Sequence, residues 1–310
     1  MDSNEISQAQ GRPTWHKVAD FPLVTLIIAT AAFALAVTCG VLTGSALPPM
    51  DPVLSLVIQS VVTLALGFLA YKLVVAHLGS VHRDELRFHD APRETGIGLA
   101  LGAGLFSLVV GLAALLDVYN IIGWGSTRKL PNILLAAAIV PGVMEEMFFR
   151  GILFRWFEEF AGTWAALFLT SALFGVAHIY NPNATWFSSF AIAVEAGVLL
   201  GGVYMLTRSL WMPIGLHAAW NFTQGFIFDV PVSGVDSQGM VEARLSGPEM
   251  LSGGEFGLEA SLLALLVATA AGVWFVLRAV KQGRLVQPWW VRRRRLQETV
   301  GIDVDADAHL

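Results

Sequence analysis

The feature that most constrains the fold is a series of apolar segments along most of the chain. Crossing a bilayer takes about 20 helical residues, and each segment is that long or nearly so. Only 14% of the residues are charged, against roughly a quarter in a soluble domain, and the mean hydropathy is +0.63. We therefore predict an all-α polytopic membrane protein of about eight transmembrane helices that enclose an intramembrane polar cavity. The segments run over 21–43, 53–76, 95–118, 132–156, 162–179, 187–207, 212–228 and 256–280.

Two of these segments differ from the others in length. The fifth and the seventh are short and carry polar residues, as expected of helices that line a protein-enclosed cavity instead of lipid.

The first segment is longer than the apolar region of a cleaved signal peptide, about 7 to 15 residues, and is predicted to be a retained span. The longest outer connection, 229–254, is polar and rich in glycine and proline, and we expect an irregular loop there.

Basic residues are distributed unevenly between the two sides of the predicted membrane. Fifteen lysines and arginines fall on the side of the N-terminus and three on the other, with one inside the membrane. Positive charge favours the cytoplasmic side, so we predict that both termini are cytoplasmic and that the protein lies in the cell membrane. The net charge of −5 indicates no nucleic-acid partner. We divide the chain into a polar head (1–20), N-terminal transmembrane helices (21–128), a core with the last helix (129–280) and a basic, then acidic, tail (281–310).

Three charges lie near the middle of the fourth segment: Glu145, Glu146 and Arg150. A charge at the centre of a membrane helix costs about 2.5 to 3.5 kcal/mol, so a chain that carries three there is expected to use them. Glu146 and Arg150 are four residues apart and are predicted to pair on one helix face. Glu145 is rotated by about 100° and is left free to face a cavity. Pro141 has no N–H and should free the carbonyl of Ala137.

Polar residues also lie in the fifth and seventh segments. His178 belongs to the fifth, and His217 and Asn221 share a face of the seventh. Counting 1.5 Å per residue, Glu145 and His178 reach similar depths, while His217 and Asn221 fall about 10 Å nearer the cytoplasm, a mismatch that helix tilt or a misplaced boundary can absorb. Two further carboxylates have no evident local partner: Glu195 is expected to line the same cavity, and Glu259 to lie at the outer interface.

Each of these signals alone has a structural alternative. Intramembrane histidines commonly bond to neighbouring helices, and a Glu–Arg pair can hold helices together. Together, a carboxylate, two imidazoles and an amide supply a base, a second proton carrier or ligand, and oxyanion donors, which is what amide hydrolysis needs. A non-catalytic scaffold, immunity or transport protein remains the alternative, although the chain lacks the repeats of a transporter.

Other enzyme classes are excluded by missing motifs. The chain has no H-E-x-x-H of zinc metalloproteases, no G-x-S-x-G serine elbow, no P-loop and no glycine-rich dinucleotide loop. Its one cysteine, Cys39, lies in an apolar run and provides neither a disulfide framework nor a thiolate zinc cluster.

Three ordered motifs carry a family resemblance. Glu145-Glu146-x-x-x-Arg150, Phe174-x-x-x-His178 and His217-x-x-x-Asn221 resemble the motifs of the CPBP family of intramembrane proteases. That family includes the Ras-converting CAAX prenyl endopeptidase and the bacterial Abi-type proteins. The resemblance covers about 133–221 and extends more weakly to about 271.

The resemblance implies an eight-helix intramembrane endopeptidase that acts on a peptide or membrane-protein substrate within the lipid bilayer, with CAAX-type processing as one option. Glu145 would be the general base and would activate water with His178. His217 and Asn221 would stabilise the oxyanion, and Glu146 with Arg150 would hold the geometry. The residues leave two options open: no cofactor, or a divalent metal such as zinc bound by Glu145, His178 and His217.

Overall fold

The computed structural model describes residues 18, 20–79, 82–295, 297 and 298. Each of the eight predicted apolar segments forms a helix. Most of the predicted polar head and the acidic end of the tail, 301–310, lie outside the described residues. The helices are α1 Pro22–Ala46, α2 Pro52–Leu73, α3 Ala91–Leu115, α4 Leu130–Ala161, α5 Thr163–His178, α6 Trp186–Thr207, α7 Trp211–Phe222 and α8 Leu262–Lys281.

Helix lengths agree with a polytopic membrane protein. Within the described residues, six helices are long and apolar enough to cross a membrane, namely all except α5 and α7. Helix α5 has 16 residues, and α7 has 12, extended by the π turn Thr223–Ile227. The prediction that the fifth and seventh segments are short is confirmed.

Close packing places α7 between α3 and α4. A Cβ atom on Gly98 would lie 2.3 Å from the backbone oxygen of Met212, and one on Gly102 would lie 2.2 Å from that of Leu216. Only glycine allows this approach of α3 to α7. On the other side of α7, a Cβ atom on Gly142 of α4 would lie 3.0 Å from the backbone nitrogen of Ala218. Helix α7 is therefore held by backbone contacts on two sides.

The structure contains a two-stranded sheet that the sequence did not predict. Strand β1 (Tyr119–Trp124) pairs antiparallel with β2 (Val241–Leu245), so the irregular loop expected over 229–254 is wrong in part. The carboxylate of Asp229 organises this connection by accepting hydrogen bonds from the N–H groups of Gly239 and Ala243. Glycine and proline in 229–254 indicate turns locally. They do not reveal that a segment about 120 residues earlier in the chain forms a strand that pairs with β2.

Two helix ends also differ from the prediction. Helix α4 continues to Ala161, where Gly162 at φ 86° ends it. Helix α8 begins at 262 instead of 256, because 3₁₀ turns occupy the preceding residues and the Ser261 side chain caps the helix by accepting from the N–H of Ala264.

A network of buried charges closes the end of α4 that is remote from the sheet. We call Glu85, Arg155, Glu158 and Arg208 the basal network. Glu158 accepts two hydrogen bonds from Arg208, at 2.5 and 3.0 Å, and one from Thr163 at 2.6 Å. Glu85 accepts from Arg155 at 3.4 Å and from the hydroxyls of Tyr71 and Tyr204 at 2.5 and 3.3 Å. Every carboxylate oxygen of this network has a donor.

Candidate active site

Helix α4 changes its hydrogen-bond pattern on both sides of the paired glutamates. The α-helical turns Val140–Glu146 lie between two π-helical stretches, Ile133–Ile139 and Met147–Phe154. The N–H of Val140, for example, donates to the carbonyl of Leu135, five residues back. Single π turns inside α-helices are frequently found at functional sites, because they change the direction in which the following side chains point.

Pro141 links α4 to α7. Because proline has no N–H, the carbonyl of Ala137 lacks its usual helical donor. The side-chain amide of Asn221 donates to this carbonyl at 2.8 Å. The freed carbonyl that the sequence predicted is therefore the point at which Asn221 fastens the two helices together.

Glu146 is the centre of a buried ionic cluster. Its side chain is fully buried, and Oε1 accepts from Arg150 Nη1 at 2.8 Å, which confirms the predicted pair. The same oxygen lies 3.0 Å from Nδ1 of His217, a contact the sequence did not predict. Arg150 also donates to the carbonyl of Ala196 at 3.1 Å and lies 4.8 Å from the ring centre of Phe174. Helices α4, α5, α6 and α7 are all tied to this one cluster.

Both imidazoles are oriented through Nδ1. Nδ1 of His178 lies 2.7 Å from the carbonyl of Phe174, which can only accept a hydrogen bond, so Nδ1 carries the proton. In the same way, the Glu146 carboxylate sets Nδ1 of His217 as a donor. In each neutral ring Nε2 is then the unprotonated nitrogen and can act as a base or a ligand.

The site residues line one cavity of about 440 Å³. Glu145, His178, His217 and Asn221 contribute to its wall. Within the described part of the chain, Oε2 of Glu145 has no hydrogen-bond partner. Glu145 and His178 therefore share the cavity, as their depths predicted. The mismatch of about 10 Å counted for His217 is absorbed in the structure, because His217 contacts Glu146 directly.

A second cavity of about 40 Å³ lies behind the two histidines. His178, His217, Asn221 and Ser233 line both cavities, and Glu195 and Glu259 line only the second. Glu195 was expected in the first cavity and instead lies in this adjoining one. Glu259 was expected at the outer interface but is buried, with 5% of its surface exposed.

The environment of Glu259 is unfavourable for a negative charge. Burial raises the pKa of Glu259 to about 7, although hydrogen bonds from Ser233 and Gln224 act in the opposite direction. Of the described residues that line the cavity, none is a lysine or arginine, so a positive charge on His217 offsets the desolvation of Glu259 only in part.

A catalytic zinc ion takes three protein ligands. Among the described residues, no three His, Cys, Asp or Glu side chains come close enough together to hold a metal ion. Glu145, His178 and His217 as placed therefore do not form such a three-ligand set.

One protein family matches the part of the chain that holds this site. Residues 127–223 match the model of the Rce1-like family, type II CAAX prenyl endopeptidase Rce1-like. The stretch covers just under a third of the chain and contains all six candidate residues, so the resemblance carried by the motifs is confirmed there. No curated protein and no solved structure matches the chain. The family match supports an intramembrane endopeptidase role in general, in a multi-pass membrane protein.

Proposed function

We propose that this protein is an intramembrane endopeptidase in which Glu145 is the general base and His178 assists it. The observation that carries the proposal is that Glu145 and His178 line one polar cavity, while Oε2 of Glu145 is buried without a hydrogen-bond partner among the described residues. A buried carboxylate without a partner is costly for stability alone, whereas a base must keep an oxygen free for water.

The reaction needs one water molecule and two proton transfers. Glu145 removes a proton from water as the oxygen attacks the scissile carbonyl carbon. The resulting tetrahedral intermediate carries a negative oxygen. Collapse of the intermediate breaks the C–N bond, and the proton returns to the leaving nitrogen from Glu145 or through His178. Atoms balance, since one peptide bond and one water give a carboxyl and an amine.

His217 and Asn221 support the negative oxygen. The Glu146 carboxylate stabilises positive charge on His217, and a protonated His217 can donate through Nε2. Asn221 has two amide hydrogens, of which Ala137 uses one and the other remains for the oxyanion. Arg150 holds Glu146 in place and does not contact the reacting atoms.

Substrates reach the site from the outer face of the membrane. The larger cavity is lined at its rim by Lys129 and Asn132 at the start of α4 and by residues of the stretch 232–237. These belong to the connections that the distribution of basic residues assigns to the non-cytoplasmic side. A peptide bond at the outer end of a membrane segment, or in a tethered extracytoplasmic peptide, is therefore the expected target.

The decisive test is peptide cleavage by purified protein in nanodiscs, with a broad library of membrane-tethered peptides. Wild type should cleave part of the library, and Glu145→Gln should not. Glu242→Gln, which changes an exposed carboxylate on β2, is the matched control and should behave like wild type. Activity that survives a chelator supports the mechanism given above, whereas loss with the chelator and recovery with zinc supports a metal centre instead.

Two results would contradict the proposal. Full activity of Glu145→Gln would remove Glu145 from the chemistry. A folded wild type that cleaves no member of the library would favour the non-catalytic alternative, a scaffold, immunity or transport protein.

A further inference from the structure

We propose that the smaller cavity behind His178 and His217 is a binding site for a primary ammonium group, and that it accepts a lysine side chain of the substrate next to the scissile bond. Glu195 and Glu259 are the residues that bind the ammonium. The lysine specificity rests on the proposed function above, whereas the ammonium site itself does not.

The position of the cavity connects it to the reaction. His178, His217 and Asn221 belong to the walls of both cavities, so the smaller one begins where the peptide bond would be held. A substrate side chain that points away from Glu145 would enter it. This is the arrangement of a specificity pocket, in which the side chain beside the cleaved bond is recognised separately from the reacting atoms.

Glu195 supplies the first argument for a cation. Its side chain is 2% exposed, and within the described residues its Oε2 has no hydrogen-bond partner. The lining of the cavity includes two carboxylates but neither lysine nor arginine. Arg150, which bonds to the neighbouring carbonyl of Ala196, is committed to Glu146. Of the described residues that line the cavity, only the imidazoles of His178 and His217 beside the reacting atoms can carry a positive charge, and no lysine or arginine is available to balance Glu195.

Comparison with other buried carboxylates strengthens this argument. Glu146 lies against Arg150, Glu158 against Arg208, and Glu85 against Arg155. Buried carboxylates in this protein are therefore paired with cations where they support structure. Glu195 and Glu259 instead share one cavity that no lysine or arginine of the described residues lines, an arrangement that favours an incoming positive charge.

Shape favours lysine over arginine. The walls between the histidines and the carboxylates are apolar, and 40 Å³ has room for the centres of about three water molecules. A straight four-carbon chain with a compact ammonium fits a narrow apolar passage with an acidic end, while a planar guanidinium needs a wider one. The apolar wall is formed by Ile192, Leu199, Leu200, Leu216, Trp220 and Ala268.

A binding experiment tests the site without relying on catalysis. Thermal unfolding of the purified protein in nanodiscs is followed with n-butylammonium, which mimics the end of a lysine side chain, and with n-butanol as the neutral control. Wild type should be stabilised by the ammonium and not by the alcohol. Glu195→Gln and the double change with Glu259→Gln should lose this stabilisation, and Glu242→Gln should keep it.

A cleavage experiment tests the specificity. Tethered peptides carry lysine, norleucine, arginine or glutamate at each position around the cleaved bond. We expect kcat/KM at least tenfold higher for lysine than for norleucine at one position. Glu195→Gln should lower that ratio at least fivefold, mainly through KM, because it removes the charge that binds the side chain.

The outcomes separate the two proposals. Wild type that cleaves without any lysine preference and does not respond to n-butylammonium would overturn this inference. The proposed protease activity would still stand. Stabilisation of wild type by n-butylammonium that Glu195→Gln abolishes, with no cleavage of any peptide, would establish the ammonium site and overturn the protease. An equal loss on all peptides in Glu195→Gln would show that Glu195 positions the catalytic histidines instead.

Discussion

Helix α4 takes part in two groups of buried charges whose hydrogen bonding differs. In the basal network, to which α4 contributes Arg155 and Glu158, every carboxylate oxygen of Glu85 and Glu158 has a donor. About three turns earlier on α4, Oε2 of Glu145 and Oε2 of Glu146 have none within the described residues, and a cavity of about 440 Å³ adjoins Glu145. The same residue types therefore form a closed structural network at one end and an open site at the other.

This difference shows how charged residues that support the fold can be distinguished from charged residues that take part in a reaction. Charges that stabilise must satisfy all their donors and acceptors, because an unmade hydrogen bond in a low-dielectric interior is expensive. A charged side chain that takes part in a reaction must keep one atom free to bond with water or substrate. Unpartnered buried oxygens beside a cavity are thus a better sign of a site than the presence of charge.

The largest effects should come from exchanging carboxylate for amide in each group. Glu145→Gln should lower kcat/KM by about a thousandfold or more, in the range of lost acid–base catalysis, with little change in unfolding temperature. Glu158→Gln should instead destabilise the protein by about 3 kcal/mol, because it leaves Arg208 without its counter-charge. Activity per folded molecule and thermal unfolding in nanodiscs measure both. If Glu158→Gln kept normal stability and lost activity, the comparison would fail.

A smaller effect concerns pH and the unpaired carboxylate Glu259. Because burial raises its pKa from the usual 4.5 to about 7, the folded state holds this proton more tightly than the unfolded state. Its contribution to stability is complete below pH 4.5 and is lost as the pH rises to about 7, at most about 3 kcal/mol. Wild type should lose stability across this window relative to Glu259→Gln. Parallel pH profiles of the two proteins would mean that Glu259 has a cationic partner.

The smallest effect concerns the bond between α7 and α4. Asn221→Ala leaves the carbonyl of Ala137 unpaired and should cost about 1 to 2 kcal/mol of stability. Pro141→Ala supplies a new N–H four residues after Ala137, so the double variant should recover most of that stability. Lost activity should not return, since the second amide hydrogen of Asn221 is still missing. Recovery of both stability and activity in the double variant would assign Asn221 a purely structural role.

Much of this protein is predictable from its sequence because the relevant physics is local. Hydropathy depends on neighbouring residues, and all eight segments form helices at or near their predicted bounds. The pair Glu146–Arg150 follows from the helical repeat, and the free carbonyl of Ala137 follows from the missing N–H of Pro141.

The helix register across the site was not predictable in the same way. Counting residues assumed straight helices of uniform rise and left His217 about 10 Å out of register with Glu145, although its ring contacts the adjacent Glu146. Helix α4 contains two π stretches and runs on to Ala161, and α7 is drawn against α3 by glycine contacts. Small changes in rise and packing add up along a helix, so depth cannot be read from residue number alone.

By itself the sequence determined the class of the fold, the identity of the charged helix and the pairing of residues four apart. Only the tertiary structure decided that His217 bonds to Glu146, that Asn221 bonds to Ala137, and that Glu195 and Glu259 meet in one cavity. The physical reason is distance along the chain. Partners 64 to 84 residues apart are brought together by packing, and packing depends on the shapes of all the helices at once.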